Sequence, residues 1–209
     1  MIYAPKKLIF KFIETAIKFW VRSQCDYIKE LNIDIQGNSL NLLRGELKGA
    51  SLLAKEIKFK NLDIHFAEIT TGLIRFKLNT SLNKKKFELQ ENFEIKGRII
   101  MEDIYLKESL STYPFEWLGE LIAKELLQAK SLDDLKIKDG FINIYASDKT
   151  IAKCMSGSFT AIASEGTIVI KKKDSTEEIS LPMDPNINIE RVFLNKNQLC
   201  LEGISRVNF

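Results

Sequence analysis

Apolar positions along the first stretch of the chain recur at helical spacing. Stepping about 100° per residue from Lys6 to Ile28 places Lys7, Lys11, Glu14, Thr15, Lys18 and Arg22 on one stripe. Leu8, Ile9, Phe12, Ile13, Ala16, Ile17, Phe19 and Trp20 fill most of the remaining circumference. The pattern predicts a helix over 6–28. An apolar face that wide needs contact on more than one side, which a strongly curved sheet wrapping the helix would supply, and so would a bilayer interface. An ordinary core helix with a solvated basic stripe is the third reading.

From Leu31 the period changes to two, with Leu31, Ile33 and Ile35 alternating with Asn32 and Asp34 before a Gly37-Asn38 turn. Shifts of parity near Lys60-Asn61 and before Ile74 mark turns or bulges between antiparallel strands. In the longest alternating run Phe87, Leu89, Phe93, Ile95, Ile99 and Met101 share one parity, and Glu88, Gln90, Asn92, Glu94, Lys96 and Arg98 the other. Fifteen residues at about 3.3 Å each would span about 50 Å, so Gly97 is read as a bend within one strand or a break between two. One face is apolar and one wet throughout, which suits a sheet covered on a single side. A second helix is expected over 114–129, with Ser111 or Thr112 as cap and Pro114 in the first turn. Ser131 to Lys138 reads as a polar connector, and short strands return over 137–207.

The fold class that follows is α+β: a strongly curved, mainly antiparallel sheet over 31–107 wrapping a long N-terminal helix, with a second helix near the middle. The chain has 209 residues, 45% of them hydrophobic and 28% charged, and no linker rich in Gly, Ser or Pro, so 1–209 reads as a single domain. Gly37, Gly45 and Gly49 are expected at turns or bulges.

Composition narrows the chemistry. Three separated cysteines, Cys25, Cys154 and Cys200, support neither a disulfide framework nor a zinc site. His65 is the single histidine; its parity turns it to solvent, and a hydrolase built on it is a remote reading. No nucleotide-binding, nucleophile-elbow or zinc-protease motif occurs. Asp133-Asp134 and Glu177-Glu178 read as solvated charge. The net charge of +3 is weak, and Lys84-Lys85-Lys86 and Lys171-Lys172-Lys173 read as basic turns that discourage edge pairing. Aromatic and basic residues do not interleave on a polar sheet face as in nucleic-acid binders. Lys11, Glu14 and Lys18 interrupt the apolar stretch from Leu8 to Val21, so neither a signal core nor a span is read there. The expectation is a non-enzymatic protein without metal or cofactor, kept in the cytoplasm.

The stretch Ile35-Gln36-Gly37-Asn38-Ser39-Leu40-Asn41-Leu42-Leu43-Arg44-Gly45-Glu46-Leu47-Lys48-Gly49-Ala50-Ser51-Leu52, followed by Ile57-Lys58-Phe59-Lys60-Asn61-Leu62, resembles the LmeA-like phospholipid-binding family, particularly its cyanobacterial members. Arg75-Phe76-Lys77-Leu78 and Phe93-Glu94-Ile95-Lys96-Gly97 resemble its later strands, and Trp20-Val21-Arg22-Ser23-Gln24 the end of its first helix. The resemblance implies a lipid-carrier-like architecture and phospholipid binding without catalysis. It is densest from residue 20 to 127.

An apolar groove between helix and sheet would gain about 0.8 kcal/mol per buried CH₂, which suits phospholipid or another acyl lipid and a role in lipid transfer or membrane maintenance. Phe12, Phe19, Trp20, Phe93, Ile95 and Phe115 are the expected lipid contacts. Lys7, Lys11, Lys18 and Arg22, beside Phe10, Phe19 and Trp20, are the expected contacts to an anionic membrane surface, each contributing about 1 kcal/mol. The alternative is a protein-interaction or scaffold domain whose side chains fill one another's space. Nothing in the sequence sets an oligomeric state.

Overall fold

The first helix stops where the chain turns to pair with a neighbour. The computed structural model describes residues 6–81, 84–148, 153–173 and 177–208. Helix α1 (Lys6–Gln24) gives way to strand β1 (Tyr27–Gln36), because the Asp26 amide already donates to the Lys58 carbonyl at 2.8 Å. The helix expected over 6–28 is therefore shorter. Cross-strand pairing captures Tyr27 and Ile28, which stand opposite Lys58 and Ile57.

A five-residue helix α2 (Ser39–Leu43) and a short strand β2 (Glu46–Leu47) lead into β3 (Gly49–Phe59) and β4 (Leu62–Thr71). Strands β5 (Ile74–Ser81), β6 (Lys84–Leu89) and β7 (Phe93–Glu102) follow. Two helices, α3 (Asp103–Leu110) and α4 (Glu116–Leu127), come next. Strands β8 (Ser131–Lys138), β9 (Phe141–Asp148), β10 (Lys153–Ser164), β11 (Thr167–Lys172) and β12 (Glu178–Ser180) precede the closing hairpin of β13 (Ile187–Asn195) and β14 (Gln198–Val207).

Among the described residues every pairing is antiparallel, as expected, but the strands form three open sheets rather than one. The six-stranded sheet has the order β1-β3-β4-β7-β14-β13, the five-stranded sheet β12-β11-β10-β9-β8, and the three-stranded sheet β2-β5-β6. The large apolar core runs from Ile28 and Leu31 through Ala67 and Met101, Leu106 of α3 and Ile122 of α4 to Ile144 and Phe159 of the five-stranded sheet. A smaller core under the three-stranded sheet joins Leu42, Leu47 and Phe76 to Phe10 and Ile13 of α1. Helix α1 meets the large core through Ile17 and Val21.

Several local expectations change. The run from Phe87 to Met101 is two strands in two different sheets, and it breaks at 90–92, where the Gln90 amide donates to the Arg75 carbonyl. Gly97 instead sits in mid-strand, opposite Gly203 and Ile69. Residues 103–107, expected within the sheet, belong to α3 instead, whose Leu106, Ser109 and Leu110 are buried at helical spacing. Helix α4 starts at Glu116, two residues after the cis Tyr113-Pro114 bond. The Ser111 and Thr112 hydroxyls do not cap it; they donate back to the Lys107 and Glu108 carbonyls of α3. Ser131 to Lys138 is strand β8 rather than a connector. Its alternation is hidden by a bulge between Leu132 and Asp134, the place where the two aspartates fall. Gly37 and Gly45 lie outside strands with φ of +149° and +74°, as expected. Gly49 instead opens β3, where a Cβ would come within 2.9 Å of the Thr71 carbonyl.

Asp134 ties α3 to the five-stranded sheet. Its carboxylate is 3.3 Å from Lys107 Nζ and 3.3 Å from Lys136 Nζ, and it accepts from the Leu135 amide at 3.0 Å. Desolvation pushes its pKa up, but these two ammonium groups and the amide outweigh it and hold the pKa below the usual carboxylate value. A folded-state pKa below the unfolded one adds stability above the ordinary aspartate value of about 3.9 and loses it as pH falls through the folded value. Asp134→Asn is therefore expected to be less stable than the parent in urea at pH 7, with the difference shrinking as the pH falls below the ordinary aspartate range. A difference that persists at acid pH would mean that geometry rather than charge is lost.

Candidate functional site

The register of the six-stranded sheet sorts its side chains into rows. Leu31, Ala54, Ala67, Ile99, Leu201 and Val192 stand side by side across the six strands and belong to the large core or pack on it. The next row on the same face is Ile33, Leu52, Ile69, Gly97, Gly203 and Ile189. Beyond it come Ile35, Ala50, Thr71, Ile95, Ser205 and Ile187, and then Phe93 opposite Val207. Ile69, Ile95, Phe93 and Val207 are only half-buried and lie outside all three apolar clusters. The inner face thus runs out from under its cover as an apolar strip. From Ile99 to Phe93 it is about 20 Å long at about 3.3 Å per residue.

Two neighbouring glycines interrupt the strip for different reasons. Strand β13 bulges between Ile189 and Arg191, and a Cβ on Gly203 would run into the Asn188 carbonyl oxygen. Backbone geometry therefore requires glycine there. A Cβ on Gly97 would meet only the Glu68 carbonyl oxygen and Ile69 Cγ1, both at 3.9 Å, which is ordinary contact. Gly97 leaves a shallow trough that the fold does not need.

The opposite face of the same strands is charged. Glu68, Arg98, Glu202 and Arg191 stand opposite or beside one another, with Arg98 Nε 3.7 Å from Glu202 Oε1. Arg98 Nε also donates to Cys200 Sγ at 3.4 Å, and this contact, with Glu202 and Glu68, raises the guanidinium pKa further. The sheet is therefore amphipathic across its thickness.

Of the expected lipid contacts, Phe93 and Ile95 come together on the strip. Phe115 does not join them; it is half-buried beside the start of α4. Phe19 and Trp20 project from α1 into solvent, 77% and 62% exposed. The side chains of Phe12 and Lys7 lie outside the described residues. Of the basic stripe, Lys18 is held by Glu14 at 2.6 Å and Arg22 donates to the Ile28 carbonyl at 2.8 Å, while Lys11 is exposed. Ile69, Gly97, Gly203 and Val207 were not anticipated. The parity of Phe93, Ile95 and Ile99 pointed to this face, and Gly97 lies within that same parity set.

Other chemistry is thin. His65 is exposed, with Nδ1 3.6 Å from Glu102 Oε1. Burial, then Asp26, pushes the Cys25 thiol pKa up, which keeps it protonated and unreactive. Lys171 and Lys172 pair with Glu178 and Glu177. Among the described residues no helix is long and apolar enough to cross a membrane, and no cluster of His, Cys, Asp or Glu could hold a metal ion. A surface depression of about 860 Å³ is lined by Trp117, Glu120, Leu121, Lys124 and their neighbours on α4. It includes none of the strip.

No curated protein and no solved structure matches the chain. A family model described as LmeA-like phospholipid-binding matches residues 7–205, nearly the whole length. That match runs through α1, all three sheets and the half-covered strip, and the chain belongs to the LmeA-like phospholipid-binding family.

Proposed function

We propose that the inner face of the six-stranded sheet holds the acyl chains of a phospholipid or similar lipid, without chemistry, and that the chain serves lipid transfer or membrane maintenance as a single folded unit. It works from the cytoplasm and touches membranes peripherally. The observation that carries this reading is the row structure of that face: Ile69, Ile95, Phe93 and Val207 continue the core's apolar rows beyond their cover. Each methylene removed from water there contributes about 0.8 kcal/mol, with no need for specific polar contacts. Family membership supports a phospholipid as the ligand. The amphipathic sheet supports a ligand that is apolar on one side.

Native mass spectrometry of the purified protein tests the proposal. The expected spectrum contains a fraction heavier than the 24.0 kDa chain by the mass of a diacyl lipid, and an organic extract of the same sample contains that lipid. A uniform apo mass, unchanged after incubation with phospholipid vesicles, would assign the chain to the scaffold class instead.

A further inference from the structure

The strip opens at the end of the six-stranded sheet where β4 passes into β5, and two apolar side chains stand in solvent there. Leu40 of α2 is 64% exposed and Leu73, in the β4–β5 turn, is 46% exposed. They sit on neighbouring segments, because Leu47 of β2 pairs with Ile74 and packs with Leu42 and Phe76 in the small core. Within α2, Leu42 faces inward while Leu40 faces out. Leu73 is two residues beyond Thr71, whose row contains Ile95. The exposed leucines thus lie on segments at the same end of the sheet as the mouth of the strip.

Charge at this end is unbalanced. Glu46 and Glu91 are both drawn to Arg75, at 3.6 and 2.8 Å, and Glu94 is drawn to Arg206 at 3.4 Å. Arg44 at the end of α2, Lys48 before β3 and Lys96 on β7 are exposed and make no ion pair among the described residues. Of the exposed acids here, Glu94 and Glu68 stand nearest Lys96 and are drawn to Arg206 and Arg98, while Asp34 of β1, opposite Ser51, and Asp184 before β13 make no ion pair among the described residues. Exposed leucines among unpaired cations complement a bilayer surface that is anionic at the headgroups and apolar beneath.

We propose that this end, with Leu40 and Leu73 inserted and Arg44, Lys48 and Lys96 on the headgroups, docks on anionic bilayers with the mouth of the strip against the membrane. The inference rests on the lipid-holding reading and adds where lipid enters and leaves. Each cation near an anionic surface changes partitioning about fivefold, and the interaction weakens with salt.

Flotation with vesicles of phosphatidylcholine alone, or with phosphatidylglycerol added, tests it. The wild-type chain should float with the anionic vesicles and much less with the neutral ones. Arg44→Gln/Lys48→Gln/Lys96→Gln should lower partitioning about a hundredfold, and Leu40→Ser/Leu73→Ser should lower it at least tenfold. Lys11→Gln/Lys18→Gln on α1 should float as the parent does. All of these substitutions are at exposed or half-exposed side chains, and native mass spectrometry should still find the co-purified lipid, so loss of docking and loss of lipid holding are read separately. Equal flotation with neutral vesicles, undiminished flotation of both mouth variants, or loss confined to the α1 variant would overturn the proposal.

Discussion

A Gly97→Leu protein is expected to fold at least as well as its parent and to emerge from purification without lipid. Gly97 lies in mid-β7, and a Cβ there makes only ordinary contacts at 3.9 Å. A branched side chain in a strand restricts the unfolded chain and covers its neighbours, so stability should hold or rise by up to about 1 kcal/mol. The new side chain would stand between Ile69 and Gly203 and between Ile95 and Ile99, in the trough of the strip. If it displaces about four methylenes of an acyl chain at about 0.8 kcal/mol each, the loss is about 3 kcal/mol, or roughly two hundredfold in affinity. The measurement is paired: bound lipid by native mass spectrometry and midpoint by thermal melting. Gly203→Ala is the contrasting case, because its Cβ would strike the Asn188 carbonyl, and it should melt early. Full lipid occupancy in a well-folded Gly97→Leu protein would place the ligand elsewhere.

The largest expected effect on stability is at Phe159. This side chain is 0% exposed in the large core, on β10 opposite Ile142 and Lys172. Its ring lies over Gly157, where an added Cβ would be 2.8 Å from ring atoms Cε2 and Cζ. Phe159→Ala removes that ring from a site whose neighbours are fixed in strands, at a cost of about 3–5 kcal/mol. At about 2–4 °C per kcal/mol for a chain of this size, the melting midpoint should fall by roughly 10 °C. Gly157→Ala should destabilise the parent by overpacking yet be tolerated in Phe159→Ala, a coupling that a double-mutant cycle in urea reads directly. A loss below about 1 kcal/mol for Phe159→Ala would mean that the cavity collapses freely.

Local periodicity is a property of the chain, and it was legible. The helical stripe, read over 6–28 and realised over 6–24, the change to period two, the strands of the C-terminal third and the α4 segment all follow from which side chains recur at which spacing, and the family resemblance rests on the same residues. Antiparallel pairing was legible too, because short turns separate most of the strands. Spacing does not say which strand is whose neighbour. The alternation of Phe87 to Met101 is interrupted on its apolar parity only at Glu91 and Gly97, yet β6 pairs with β5 and β7 with β4 and β14. Helix α3 and strand β8 were obscured by charged residues whose partners are distant: Asp103 accepts from the Ile137 amide, and Asp134 meets Lys107.

The candidate site divides in the same way. Sequence parity alone put Phe93, Ile95 and Ile99 on one apolar face. Only the tertiary structure decided that part of this face lies beyond its cover, that Gly97 is free while Gly203 is required, and that Lys18 and Arg22 of α1 are engaged while Phe19 and Trp20 face solvent. The reason is physical. A side chain's facing is set by backbone dihedrals within a few residues, whereas its exposure, its ion-pair partner and the space above it depend on elements many residues away that pack against it.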